Sequence, residues 1–262
     1  RICETKYPIL MVHGVFFRDF RALNYWGRIP EALQNNGAKI YYGEQESAAS
    51  IAFCGTQLVK RIEQIVKETG CEKVNIIAHS KGGLDSKYMI QELGMEDNVA
   101  SLTTLSTPHK GSPLATKLVD MPKWIVAILN FWINLIYKIF GDKHPNALQA
   151  GKDLARVEKV DYVTLGFSKK VYCQSFSSMV KEKKYTFIDG IPLFFSRYFE
   201  KKVETDGMVP VDSAIFGEYK GNISDDISHS QIIDFCVGKR KKKDKIYTFY
   251  SSLCEDLVKM GF

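Results

Sequence analysis

Val74-Asn75-Ile76-Ile77-Ala78-His79-Ser80-Lys81-Gly82-Gly83 is the stretch that decides how this chain folds. Its apolar first half predicts a buried strand, and Leu84, Tyr88, Ile90 and Leu93 after it fall at helical spacing. A serine between small residues at such a junction has the form of a nucleophile elbow. The turn is so tight that the serine backbone is strained and its hydroxyl is pushed into the open at the strand's C-terminal end. Gly82 lets the helix pack close, and Ala78, small enough to fit, stands where the pattern usually has its first glycine.

Working outward, Tyr7–Val12 reads as a buried strand ending in His13-Gly14, followed by a short helix around Trp26–Asn35 and a strand over Ala38–Tyr42. Ile51–Thr69 is predicted helical, with Leu58, Ile62, Ile65 and Val66 at core spacing and Gly70 as its stop. Val99–Leu105 and Val171–Phe176 are further strands, and Ile246–Met260 an amphipathic closing helix. Strands alternating with helices predict an α/β fold, a mostly parallel sheet covered on both faces. Ligands in such sheets collect at the C-terminal strand ends, where His13, Ser80 and Thr107 would lie.

The 262 residues suit one α/β domain with a small insertion. A net charge of +6 is too mild to imply a nucleic-acid partner, and Lys239-Arg240-Lys241-Lys242-Lys243 reads as a solvated loop rather than a lipid contact. Six cysteines, widely spaced and without a C-x-x-C pair, argue against a zinc ribbon, and most are expected to be small buried apolar residues. The chain begins at Arg1 rather than methionine, so a removed signal peptide is one reading of what preceded it.

The βα rhythm breaks at Trp124–Phe140, where fourteen of seventeen residues are apolar. Asn130, Asn134 and Lys138 recur at i, i+4 and i+8, one polar stripe on an otherwise apolar helix. A transmembrane span needs about twenty apolar residues without such a stripe. A helix packed on one side of a sheet needs no apolar surface on its far side. The expectation is therefore a hinged flap, bracketed by Pro122 and Gly141-Asp142, that covers a site in water and turns toward lipid at an interface.

A serine hydroxyl needs a base within hydrogen-bond reach. Of five histidines, His79 adjoins Ser80 but should point away from it, His13 and His109 are expected to order loops, and His144 borders the flap. His229 is preferred because triads on this fold run Ser, then acid, then His. Asp206, ahead of Gly207, fits the acid best; Asp212, after a strand-like Val209-Pro210-Val211, is its main competitor, and Asp189, Asp225 and Asp226 are weaker. The acid would fix the imidazole tautomer. Backbone N–H groups of Lys81 and Val15 are the candidate oxyanion donors. The Lys81 side chain is expected to face solvent or pair locally.

Tyr7–Gly14, Asn24-Tyr25-Trp26-Gly27, Ala78–Gly83, Leu102–Ser112 and Asp206–Ala214 together resemble the bacterial true triacylglycerol lipases, in that family's order and across most of the chain. The resemblance implies an α/β-hydrolase fold with core segments 1–112 and 162–262 and a helical lid at 113–161. It further implies secretion and hydrolysis of fatty-acid esters by Ser80, Asp206 and His229 at an oil–water interface, with peripheral lipid contact through the lid. Phe16, Phe17, Trp124, Phe131, Trp132 and Phe140 would line the substrate and lid surface, Phe16-Phe17 standing where many relatives have a glycine. A carboxylesterase acting on short soluble or polyester-type esters, or a catalytically silent lipid-binding protein, are the other readings. No cofactor is expected. Many relatives bind a structural calcium through an aspartate two residues beyond the histidine; here that position is Gln231, which leaves only Asp225, Asp226 and Asp234 as nearby oxygen ligands.

Overall fold

Residues Ile9–Val12 form β1, Ile40–Tyr42 β2, Val74–His79 β3, Val99–Leu105 β4, Tyr172–Ser177 β5 and Glu218–Asn222 β6. They lie in the order β2-β1-β3-β4-β5-β6, with every neighbouring pair parallel. The computed structural model describes residues 1–15, 24–139, 141–156, 168–181, 203–235 and 240–262, with backbone only at 156 and 240–243.

Successive side chains of a strand leave on opposite faces, so the buried strands feed two cores. Leu10 and Val12 of β1 and Ile76 and Ala78 of β3 pack with Leu58, Ile62 and Ile65 of α2 (Ile51–Thr69) and Met89 and Ile90 of α3 (Lys81–Glu92). Ile9, Met11 and Ile77 turn the other way, onto Ile29 and Leu33 of α1 (Ile29–Asn35) and Tyr250 and Leu253 of α7 (Arg240–Lys259). Local chemistry sets the ends of α2. The Ser50 hydroxyl accepts the Phe53 N–H at 3.2 Å, and Gly70 at φ +71° takes the left-handed turn that stops the helix.

Three helices stand apart from the sheet: α4 (Pro113–Val119), α5 (Lys123–Ile139) and α6 (Ala147–Arg156). The polar stripe of α5 holds this group together. Asn130 Oδ1 accepts the Leu148 N–H at 2.9 Å and Asn134 Oδ1 accepts the Ala147 N–H at 2.8 Å. Those are first-turn donors of α6, which have no acceptor within their own helix. Asp142 carboxylate oxygens accept the Ser47 and Ala48 N–H groups, and Asp153 accepts the first-turn N–H of Ile51 at 2.9 Å. These bonds tie the helices to the loop leading into α2. No single helix among the described residues is long and apolar enough to cross a membrane.

The structure differs from the sequence reading in three places. Val209-Pro210-Val211 is not a strand; a single antiparallel bridge joins Thr205 to Pro210, and a 3-10 turn follows over Asp212–Ala214. Glu218–Asn222, mostly polar, is a strand because it occupies the sheet edge, where one flank stays solvated. Helix α7 begins at Arg240, so most of the basic run is the first turn of a helix and not a loop, lysine and arginine being good helix formers.

Among the described residues, one buried cation lacks a carboxylate. Lys87 of α3 meets the His109 ring, Nζ to Nδ1 at 3.5 Å, and lies 4.3 Å from the centre of the Phe216 ring. Burial pulls its amine down to about 8, opposed by Cys173. The folded pKa lies below the unfolded 10.5, so the folded state is destabilised by the charge at neutral pH, and stability rises as pH climbs from about 8 to about 10.5. Lys87→Met should stabilise the protein by about 1–3 kcal/mol at pH 7 and remove that alkaline rise. Denaturant unfolding of both proteins at pH 7 and near pH 10 checks it; an unstabilised variant would refute it.

Candidate active site

Ser80 occupies the junction between β3 and α3 at φ +54°, ψ −132°, a backbone conformation rare outside glycine. Its neighbours hold it there. The Ser80 N–H donates to Leu105 O at 3.0 Å, and its carbonyl accepts the Thr107 hydroxyl at 2.8 Å. The turn closes only because the helix starts on glycines. A Cβ at Gly82 would run into the carbonyls of His13 and Val12, the latter at 2.6 Å. A Cβ at Gly14 would lie 2.7 Å from Ser80 Cβ, so the His13-Gly14-Val15 loop crosses directly over the elbow.

His229 Nε2 lies 3.0 Å from Ser80 Oγ, and its Nδ1 lies 2.7 Å from Asp206 Oδ2. Asp206 is wholly buried, yet its other oxygen is satisfied: Oδ1 accepts the N–H groups of Met208 at 3.0 Å and Val209 at 2.8 Å. The His229 N–H donates to the Asp206 carbonyl at 3.0 Å, which fixes one loop against the other. Ser80, His229 and Asp206 come from three separate segments and meet in one line of hydrogen bonds. Asp212, the competing acid, is exposed at the start of the 3-10 turn. Asp225 pairs with Lys181 and Asp226 with Lys245, while Asp189 lies outside the described residues.

Lys81 is the first residue of α3, so its N–H is a first-turn donor beside the serine. Its side chain does not reach solvent. It is buried, with Nζ 2.7 Å from Asp85 Oδ1 and 3.4 Å from Cys54 Sγ, so of the two expected arrangements the structure has the locally paired one. Burial lifts the Asp85 carboxyl to about 7, against the pull of the Lys81 ammonium.

The remaining histidines are structural. The His13 ring nitrogens lie 2.8 Å from Gly14 O and 2.9 Å from Gln45 O, and His109 Nε2 lies 3.0 Å from Thr104 Oγ1. His144 sits edge-on to Phe53. His79 is placed closer to the centre than its position beside Ser80 suggested. Its ring lies 4.5 Å from that of His229, and its Nδ1 lies 2.7 Å from the Tyr25 hydroxyl, which accepts the Gly14 N–H at 3.0 Å. Burial and the charge of His229 hold His79 well below the ordinary histidine range, so it stays neutral. Tyr25 and His79 thus link the Gly14-Val15 loop to the imidazole, a connection made by packing that no local sequence pattern marks.

An apolar cavity of about 230 Å³ opens beside this line. Val15 and Met208 border it, and its walls come from Leu114, Leu118 and Val119 of α4, Val126, Leu129 and Ile133 of α5, and Leu148 and Leu154 of α6. The aromatic residues expected at the substrate do not line it. Trp124, Phe131 and Trp132 are 67%, 63% and 57% exposed on the opposite side of α5. Phe16, Phe17 and Phe140 lie outside the described residues.

Among the described residues, the carboxylates around His229 do not gather into a calcium site. Asp234 is gripped by Arg28, with Oδ1 and Oδ2 each 2.9 Å from a guanidinium nitrogen, and accepts the Tyr247 hydroxyl at 3.0 Å. Asp225 and Asp226 are salt-bridged as above, and Gln231 Oε1 accepts the Ser228 N–H at 3.2 Å. Their oxygens neutralise protein cations instead of converging on one point. Among the described cysteines, Cys3, Cys54 and Cys254 are buried thiols and Cys71 and Cys173 half-buried ones.

Comparison with known proteins finds lipases and esterases. A triacylglycerol lipase of Vibrio cholerae serotype O1 is 37% identical over 113 residues, 43% of this chain and 36% of that protein. Triacylglycerol lipase 2 of Saccharomyces cerevisiae is 27% identical over 281 residues, covering 94% of this chain and 77% of that protein. The chain thus spans little more than a third of the Vibrio relative's length. The crystal structure of Staphylococcus hyicus lipase superposes with a TM-score of 0.71 at 14% identity, covering 98% of each chain, and the shared architecture is the α/β-hydrolase fold. Residues 41–216, which carry the elbow and Asp206, match the family model described as "Putative serine esterase (DUF676)". With that match spanning most of its length, the chain belongs to the DUF676 serine esterase family.

Proposed function

We propose that this protein hydrolyses carboxylic esters of fatty acids, with triacylglycerol as the substrate class and Ser80, His229 and Asp206 as the catalytic residues. Ser80 Oγ attacks the ester carbonyl as its proton passes to His229 Nε2. The negative oxygen of the tetrahedral intermediate accepts the N–H groups of Val15 and Lys81. Collapse breaks the ester C–O bond, His229 returns the proton to the leaving alcohol, and Ser80 is left acylated. Water then attacks the acyl-enzyme with His229 again as base, and the fatty acid and free serine are regenerated. Asp206 keeps the Nδ1–H tautomer and stabilises the imidazolium.

The observation that carries this reading is the 3.0 Å and 2.7 Å relay, seated beside a cavity whose walls are almost wholly apolar. A fatty acyl chain matches those walls, and helices α4–α6 form the lid over it. Export from the cell belongs to the same proposal and rests on the resemblance to secreted lipases.

The test is a fluorophosphonate probe combined with two substrates. The probe should label Ser80 stoichiometrically, and an emulsified long-chain triacylglycerol should be turned over faster than a short soluble ester. Labelling with the reverse preference would make the protein a carboxylesterase of small soluble esters. No labelling would leave a lipid-binding protein without hydrolytic chemistry.

A further inference from the structure

Helix α5 is apolar on two opposite sides, and only one is needed to roof the cavity. Val126, Leu129, Ile133 and Tyr137 face inward and line it. At about 100° per residue, Trp124, Ile128, Phe131, Trp132, Leu135 and Ile139 fall on the far arc, and each is exposed, Ile139 at 71%. The asparagines between these arcs are committed to the first turn of α6. The outer arc is therefore exposed while the inner arc lines the cavity, and no rotation of the helix is required to present it.

Charge around the arc identifies what covers it. From Lys110 to Lys143 the chain carries lysines at 110, 117, 123, 138 and 143 and only two aspartates, Asp120 and Asp142. Asp142 is buried and holds backbone N–H groups, which leaves one exposed carboxylate in the segment. Lys123 and Lys138 stand at either end of α5, where their alkyl stems can lie along an apolar surface with the ammonium groups in the headgroup layer. A second protein would have to match a lysine-framed stripe of tryptophan and isoleucine. A bilayer bearing anionic headgroups matches it by composition alone.

We propose that the outer arc of α5 is a standing anchor for anionic lipid surfaces, engaged while the inner arc still lines the cavity. The helix lies in the plane of the interface with its tryptophans at headgroup level. This deepens the function proposed above and rests on the reading of α5 as the roof of the ester site. Docking supplies the enzyme to its substrate without any movement of α5, and the surface charge of the lipid particle sets how much enzyme is delivered.

The experiment is co-sedimentation of the whole chain with vesicles of ether-linked phosphatidylcholine, alone or with a quarter of ether-linked phosphatidylglycerol. Ether lipids offer no ester to cleave, so binding is measured apart from hydrolysis. Two of the three tryptophans lie on the arc and the third, Trp26, is fully buried, so a blue shift in emission reports α5. The expected result is binding to the anionic vesicles with a blue shift. Binding should weaken about fivefold for each of Lys123→Gln and Lys138→Gln and be lost in Trp124→Ser/Phe131→Ser/Trp132→Ser. Phe131→Ser alone should show a partial loss, should the triple variant not fold. Equal binding to both vesicle types, binding to neither, or a lipid-free dimer dissolved by Phe131→Ser would overturn the proposal. Wild-type turnover of a short soluble ester, measured alongside, separates that outcome from failure of the hydrolase reading.

Discussion

Replacing Ser80 by alanine is expected to lower ester turnover by about six orders of magnitude and to leave the melting temperature within a few degrees of wild type. Only one atom is removed. The backbone there, at φ +54°, is as costly for alanine as for serine, because the strain comes from the Cβ that both carry. The contacts that enforce it, Ser80 N–H to Leu105 O and Thr107 Oγ1 to Ser80 O, use only backbone atoms of residue 80, which alanine keeps. Without Oγ, no acyl-enzyme forms and the His229 Nε2 proton exchange has no partner at 3.0 Å. What survives is the donor pair and the cavity, enough for a small rate above that in water. The pair of measurements is kcat on a soluble ester and thermal unfolding by circular dichroism. Turnover within tenfold of wild type would show that another nucleophile operates.

Parts of this site are visible in the chain and parts arise only on folding. β1, β3 and β4 are buried on both faces, so they read as largely apolar runs, unbroken in β1 and interrupted by Asn75 in β3 and by Ser101, Thr103 and Thr104 in β4, and the glycines after Ser80 mark a place where a helix must start against the strand carbonyls. α2 announces both its ends through Ser50 and Gly70. Residue patterns favour Asp206, ahead of Gly207, over Asp212, after the strand-like Val209-Pro210-Val211, but leave both in play. What separates them is tertiary: a bridge from Thr205 to Pro210 folds Asp206 inward and leaves Asp212 outside. The stripe of Asn130 and Asn134 could be seen, but its purpose could not, since the donors it satisfies belong to a helix more than ten residues away. The aromatic residues of α5 were matched to the substrate by their hydrophobicity; hydrophobicity carries no direction, and the helix turns them outward. The pairs Lys87–His109 and His79–Tyr25 were illegible, because burying polar side chains beside one another is a property of the packed sheet and not of any segment.

Asp206→Asn should cost about four orders of magnitude in kcat near neutral pH with little change in structure, and it separates Asp206 from Asp212. The asparagine carbonyl can keep the Oδ1 role, accepting the N–H groups of Met208 and Val209 at 3.0 Å and 2.8 Å. Its amide NH₂ then faces His229 Nδ1 at the position where Oδ2 now stands, 2.7 Å away. An amide donor there requires Nδ1 to accept, which moves the imidazole proton to Nε2. That nitrogen points at Ser80 Oγ, and once protonated it cannot take the serine proton. The loss therefore comes from the wrong tautomer and from an imidazolium with no carboxylate to stabilise it, while the buried turn retains its hydrogen bonds. Asp212→Asn, at an exposed position, should leave kcat within about twofold. Steady-state kinetics of both variants on one soluble ester decides between them. If Asp212→Asn were the crippled enzyme, the acid would have been misassigned, and the 2.7 Å contact of Asp206 would be a structural cap of the His229 loop.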